Sequence, residues 1–174
     1  MQDEQLVVAA QRGDLAKVKN LLKYVDPNSP KIDEDGKITY ALHQAASKGQ
    51  DEIVRVLIAS GADVNLKQKD VLSKYSRSTA LHRAVRYEHL STVRILVSSG
   101  ASPSISRGTS SFGELTATFE ALFSFVKYTG SKDVVQAIFK YLIKSGGTPD
   151  FLFEGKPARK VSAKNGWTIP DHYE

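Results

Sequence analysis

The pentapeptide Ala41-Leu42-His43-Gln44-Ala45 recurs 39 residues later as Ala80-Leu81-His82-Arg83-Ala84, and Gly61-Ala62 recurs at the same step as Gly100-Ala101. An internal period of this length constrains the fold more than any other feature. Each copy is one supersecondary unit too small to bury its own apolar face, so neighbouring copies must stack into a continuous core. Within each copy the apolar residues fall at helical spacing twice. Leu42, Ala45 and Ala46 give one narrow face, and Ile53, Val54, Val56, Leu57 and Ile58 give a wider one suited to a helix packed on both flanks. Gly49 separates the two patterns, and Gly61 stands where a helix C-terminus needs a left-handed residue. The period predicts an all-α chain of repeated helix, tight turn, helix, cap and loop.

Weaker copies flank the central two. Leu6 to Ala10 align with Leu42 to Ala46, Gly13 with Gly49, and Val18, Leu21 and Leu22 with Val54, Leu57 and Ile58. At the other end Ala117 to Leu122 stand in for Ala80 to Val85, and Phe139 to Gly146 match Val93 to Gly100. The extra residues around 125–132 are expected to lengthen the first helix or to form an inserted loop. The units are therefore read as 1–30 (an N-terminal cap), 31–66, 67–104 and a divergent 105–150. Residues 151–174 are a tail or the start of a further unit, with Phe151-Leu152-Phe153 as an apolar plug. The faint fifth opening, Asn165 to Pro170, favours a chain that forms the N-terminal part of a longer one.

These residues resemble the ankyrin repeat family. Leu42-His43 with Ala45-Ala46, Thr79-Ala80-Leu81-His82 with Ala84, and Leu57-Ile58-Ala59-Ser60-Gly61-Ala62-Asp63-Val64-Asn65 follow its motif over about residues 4–150. The resemblance implies an ankyrin solenoid of stacked helix-turn-helix units, with long hairpin or loop fingers at right angles. It also implies that His43 and His82 tie units together by bonding the neighbouring finger. The chain departs from the motif at Glu88, which replaces the inter-helix glycine. A left-handed position strains Glu, so that turn is expected to be rearranged. Asn65 is expected to cap its own turn by bonding nearby backbone.

Composition narrows function. Without cysteine there is no disulfide scaffold, thiolate metal site or cysteine nucleophile. The acidic start carries no secretory leader, and no apolar run is long enough to cross a bilayer, so the expected location is intracellular, cytoplasmic or nuclear. No His-Glu-x-x-His, Gly-x-Ser-x-Gly or phosphate loop occurs. Asp33-Glu34-Asp35-Gly36 lacks calcium-loop spacing. The expectation is a non-enzyme with no metal or cofactor, monomeric on its own.

Binding remains. In ankyrin proteins the partner lies in the concave groove made by finger tips and the exposed ends of the first helices. Carried onto this chain, the contact residues are Arg12, Lys48, Arg86 and Tyr87 on helices, with Lys37, Tyr75, Arg77, Ser78 and Phe112 on fingers. Arg and Tyr anchor interfaces more than most residue types. Arg12, Lys48, Arg77 and Arg86 make the groove cationic and suited to an acidic or phosphorylated protein segment, in an adaptor, scaffold or regulatory role. A second reading uses charge alone. Residues 61–110 hold 8 basic and 3 acidic residues and supply the whole net charge of +5, so this middle region is a candidate surface for nucleic acid or anionic lipid.

Overall fold

A computed structural model describes residues 2–34, 36, 38–68, 77–110, 113–127, 131–148, 152–153 and 156–157. Among them are eight helices: α1 (Gln2–Arg12), α2 (Leu15–Leu21), α3 (Ala41–Ser47), α4 (Asp51–Ala59), α5 (Ala80–Arg86), α6 (Leu90–Ser98), α7 (Ala117–Lys127) and α8 (Lys132–Lys144). They follow in pairs. Asp3 and Glu4 open α1 and Arg12 closes it, each complementing the helix dipole. Asp14 caps α2, its carboxylate accepting the Lys17 N–H at 2.9 Å.

The first helices pack in series, α1 on α3, α3 on α5 and α5 on α7, and the second helices do the same through α2, α4, α6 and α8. Two layers result. The inner positions of α3 and α5 are mostly alanine (Ala41, Ala45 and Ala46; Ala80 and Ala84), all fully buried, so these backbones approach closely. Larger side chains fill the space between layers in repeating rows. Val18, Val54, Val93 and Phe139 form one row, and Leu21, Leu57, Leu96 and Leu142 the next, every one buried. The architecture is the stacked helix-turn-helix solenoid that the period requires.

Fingers precede the first helices of the later units. β1 (Pro30–Ile32) pairs antiparallel with β2 (Ile38–Tyr40), and β3 (Thr109–Ser110) with β4 (Gly113–Glu114). Before α5, the Gln68 N–H donates to the Ser78 carbonyl at 2.9 Å. Leu152–Phe153 (β5) pairs with Lys156–Pro157 (β6). This places two residues of the expected plug in a short hairpin. Phe151 and the Asn165–Pro170 segment lie outside the described residues.

Side chains also bridge the loops that follow the second helices. Asn28 donates to the Gly61 carbonyl (3.0 Å) and accepts from the Asp63 N–H (2.8 Å). Asn65 repeats this on Gly100 (3.1 Å) and Ser102 (2.9 Å). In the next unit Ser104 donates to Gly146 at 3.0 Å. Asn65 is thus a rung between units, not the cap of its own turn. A side chain reaching the next unit satisfies backbone groups that a single unit would leave to water.

Two further expectations are corrected. Glu88 does adopt the left-handed conformation, φ +61°, and its turn is not rearranged. His89 N–H bonds the Ala84 carbonyl at 3.0 Å, as Gln50 N–H bonds Ala45 in the preceding unit. At Gly13 and Gly49 a side chain of the following unit fills the space beside the turn: Gln50 reaches back to the Gln11 carbonyl, and His89 to that of Ser47. At the third turn the direction reverses. The Glu88 carboxylate reaches forward to the N–H of Ser131, the residue before α8, at 3.2 Å. The extra residues of the last unit lengthen both helices: α7 has 11 residues against 7 in α5, and α8 has 13 against 9 in α6.

Candidate functional site

Each first helix of the leading three units ends at the same repeat position with an exposed side chain: Arg12, Lys48 and Tyr87. A helix C-terminus presents carbonyls to solvent and favours cations there. Tyr87 is 51% exposed, among the most exposed large apolar side chains of the described residues. Beside it Arg86 is half exposed, its Nε 3.8 Å from a Glu120 oxygen on α7. The other Glu120 oxygen is held by Arg107 at 2.9 Å. Glu120 is only 5% exposed, so its charge is covered by the two arginines.

Arg83 completes the cluster. Its guanidinium donates to Gln68 Oε1 at 2.9 Å and is within hydrogen-bonding reach of Tyr87. Burial lowers its pKa, and the charges of Arg86 and Arg107 add to that. Two guanidinium groups therefore engage the Glu120 carboxylate, and the third, Arg83, is held beside them by Gln68 and Tyr87. Two buried nitrogens, Gln68 Nε2 and Arg107 Nε, have no hydrogen-bond partner among the described residues.

The structure brings together Arg86 and Tyr87 and sets Arg12 and Lys48 in line with them along the stack. Arg77 is exposed ahead of α5. Ser78 is turned inward instead: it is 8% exposed, and its carbonyl accepts from His43 Nε2 and from the Gln68 N–H. So little of its surface remains exposed that it is poorly placed to meet a partner. Lys37, Tyr75 and Phe112 lie outside the described residues.

Arg83, Gln68, Arg107 and Glu120 were not among the sequence-assigned contacts. The signal was present for one pair. Arg83 is the single difference between the two copies of the pentapeptide, and the matching position of the fourth copy is Glu120. Gln68 and Arg107 sit in loops outside the period and carry no such mark.

His43 and His82 are structural. His43 Nε2 donates to the Ser78 carbonyl at 2.9 Å, and His82 Nε2 to that of Leu115 at 3.1 Å, each tying its helix to the next finger. His82 Nδ1 is therefore an acceptor, for the Thr79 hydroxyl (2.9 Å) and N–H (3.3 Å). Burial pushes both pKa values down to about 4, against the pull of those carbonyls. Among the described residues no three potential metal ligands converge, and no helix is long and apolar enough to cross a membrane.

Fold and site define a helical repeat solenoid with a cationic, tyrosine-bearing edge. The family model for ankyrin repeats in three copies matches residues 6–107, more than half of the chain. The chain belongs to the ankyrin repeat family, whose repeats are protein–protein interaction modules. Over 86 residues it is 42% identical to E3 ubiquitin-protein ligase XBAT33 of Arabidopsis thaliana, a stretch covering 49% of this chain and 15% of that protein. It is 38% identical over 86 residues to the probable E3 ubiquitin-protein ligase XBOS32 of Oryza sativa subsp. japonica, covering 49% and 16%. It is 38% identical over 68 residues to ankyrin repeat domain-containing protein 35 of Homo sapiens, covering 39% and 7%. The matched stretch spans no more than 16% of the length of these relatives. The expectation of a non-enzyme is corrected here. Missing catalytic motifs had suggested it, yet several of the relatives that match are named ubiquitin ligases, which are enzymes.

Proposed function

We propose that the chain recruits a protein partner through an acidic or phosphorylated segment held on the Arg12–Lys48–Tyr87 edge and the arginine cluster beside it, and that it does so as the recognition part of a ubiquitin-ligase-type protein. The observation that carries this reading is Arg86. Arg107 takes one Glu120 oxygen at 2.9 Å, whereas Arg86 is 3.8 Å from the other and remains half exposed. It keeps donors for an incoming carboxylate or phosphate, which a guanidinium binds in bidentate fashion. Tyr87 beside it supplies a rigid apolar surface at small entropy cost. The stacked helices hold these groups in place before binding, which limits the ordering cost of docking. The ligase names of the relatives support a role in selecting a protein for ubiquitin transfer.

A peptide array with acidic, phosphorylated and neutral sequences tests the edge, comparing wild type with Arg86→Ala/Tyr87→Ala, both verified as folded by circular dichroism. Acidic or phosphorylated peptides bind wild type, and the double variant loses about tenfold or more in affinity, corresponding to about 1.4 kcal/mol. Equal binding by both proteins overturns the reading. A steep fall of affinity with salt for duplex DNA, without peptide binding, transfers the function to nucleic acid. The ligase role predicts that the captured partner loses ubiquitin conjugates in cells when the double variant replaces wild type.

A further inference from the structure

The second helices present a face of their own, on the other layer from the Arg86–Tyr87 edge. Aligned by repeat, Lys19 on α2, Arg55 on α4, Arg94 on α6 and Lys140 on α8 occupy one position, and all four are exposed. A groove of about 430 Å³ opens between α4, α6 and α8, with Arg55, Leu90, Ser91, Arg94, Ile95 and Tyr141 among its walls. Arg94 lies over the Tyr141 ring at 5.8 Å, which holds its guanidinium at the groove edge.

The repeat step shows why this groove is cationic. Asp51 and Glu52 open α4, and the residues 39 later, Leu90 and Ser91, open α6. Where α4 opens with two carboxylates, α6 brings an apolar and a hydroxyl side chain to the groove wall. Asp51 itself accepts the Thr92 hydroxyl at 2.6 Å. No ion pair engages Arg55 or Arg94 among the described residues, and no carboxylate lines the groove.

We propose that this groove is a second docking site, for an acidic segment of a protein: a carboxylate sits between Arg55 and Arg94, and a neighbouring aliphatic side chain rests on Leu90 and the Tyr141 ring. Charge complementarity selects the acid, and the mixed lining selects a protein over a purely anionic polymer. The exposed large apolar residues of the described chain, Tyr24, Ile32 and Tyr87, do not line the groove, so no apolar wedge there enters a bilayer. Because it lies on the second helices, the site stays open while the first-helix edge is occupied.

The test is a titration of the isotopically labelled chain with a soluble peptide of repeating Glu-Glu-Leu, followed by amide chemical shifts. Shifts should fall on α4, α6 and α8. They should weaken about tenfold in apparent affinity in Arg55→Glu/Arg94→Glu, or in the milder Arg55→Gln/Arg94→Gln if charge reversal disturbs the fold. They should persist unchanged in Arg86→Ala/Tyr87→Ala. Shifts confined to the first helices, equal binding of a Gln-Gln-Leu peptide, or binding of phosphatidylserine vesicles or duplex DNA without the peptide would each overturn the proposal.

Discussion

The two central units share a core and differ at their surface. Leu57 and Leu96 are both fully buried, as are Val54 and Val93, and each unit sends a histidine to the next finger. Outside the core the same positions diverge. Gln44 becomes Arg83, Lys48 becomes Tyr87, Gly49 becomes Glu88, and Asp51-Glu52 becomes Leu90-Ser91. Even the histidines differ in support. His82 Nδ1 accepts from Thr79, whereas His43 Nδ1 has no partner among the described residues and its ring lies 5.4 Å from Tyr40 instead. Positions facing two neighbours are held by packing. Positions facing solvent or a finger are free to vary, and both candidate binding surfaces of the second unit pair arise there.

The shared core predicts equal penalties. Leu57→Ala and Leu96→Ala should each cost about 2–5 kcal/mol in urea unfolding, since each leaves a cavity flanked on both sides. A loss below about 0.5 kcal/mol in either would contradict the register that equates them.

Acid offers a second measurement. The unfolded chain takes up protons at His43 and His82 near pH 6.5, while the folded chain resists until about pH 4. Stability is therefore fully present above pH 6.5 and is lost as pH falls towards 4, by up to roughly 3 kcal/mol per histidine. Unfolding curves of His43→Gln and His82→Gln between pH 4 and 7 should each lose part of this slope. A slope unchanged in both variants would remove the histidines from the account.

The smallest effects come from the inter-helix turns, which should not be interchangeable. Gly49→Ala places a Cβ at φ +66°, and that atom would come 2.7 Å from His89 Nδ1. It should cost about 1–2 kcal/mol for the backbone, and about 1 kcal/mol more if His89 leaves the Ser47 carbonyl. Glu88→Gly removes the backbone strain but also the bond to Ser131, so thermal unfolding should move by no more than about 1 kcal/mol in either direction. Equal effects at the two turns would erase the difference drawn between the units.

The helices and their pairing were legible in the sequence because both follow from spacing. Apolar residues at helical intervals and the 39-residue step require stacked pairs, and Leu42, Leu57 and Gly61 mark them without any knowledge of neighbours. The helical part of the candidate edge was legible for the same reason, since Arg12, Lys48 and Tyr87 are equivalent repeat positions. Its interior was not. Ser78 reads as a polar finger residue, and only the approach of His43 from 35 residues away turns it inward. Glu88 reads as strained, and only Ser131, 43 residues on, shows what its side chain does.

Sequence alone determined the local geometry: where helices start, which face each buries, and that several units must stack to cover those faces. These depend on residues within one or two helical turns. Tertiary structure decided which polar side chains meet: Arg107 with Glu120, Arg83 with Gln68, and Arg55 and Arg94 at a groove without a carboxylate. Such pairings join residues from different units or from a loop and a helix. Periodicity specifies that the units stack, but the side chains that touch across the stack depend on how each helix and loop settles against its neighbours.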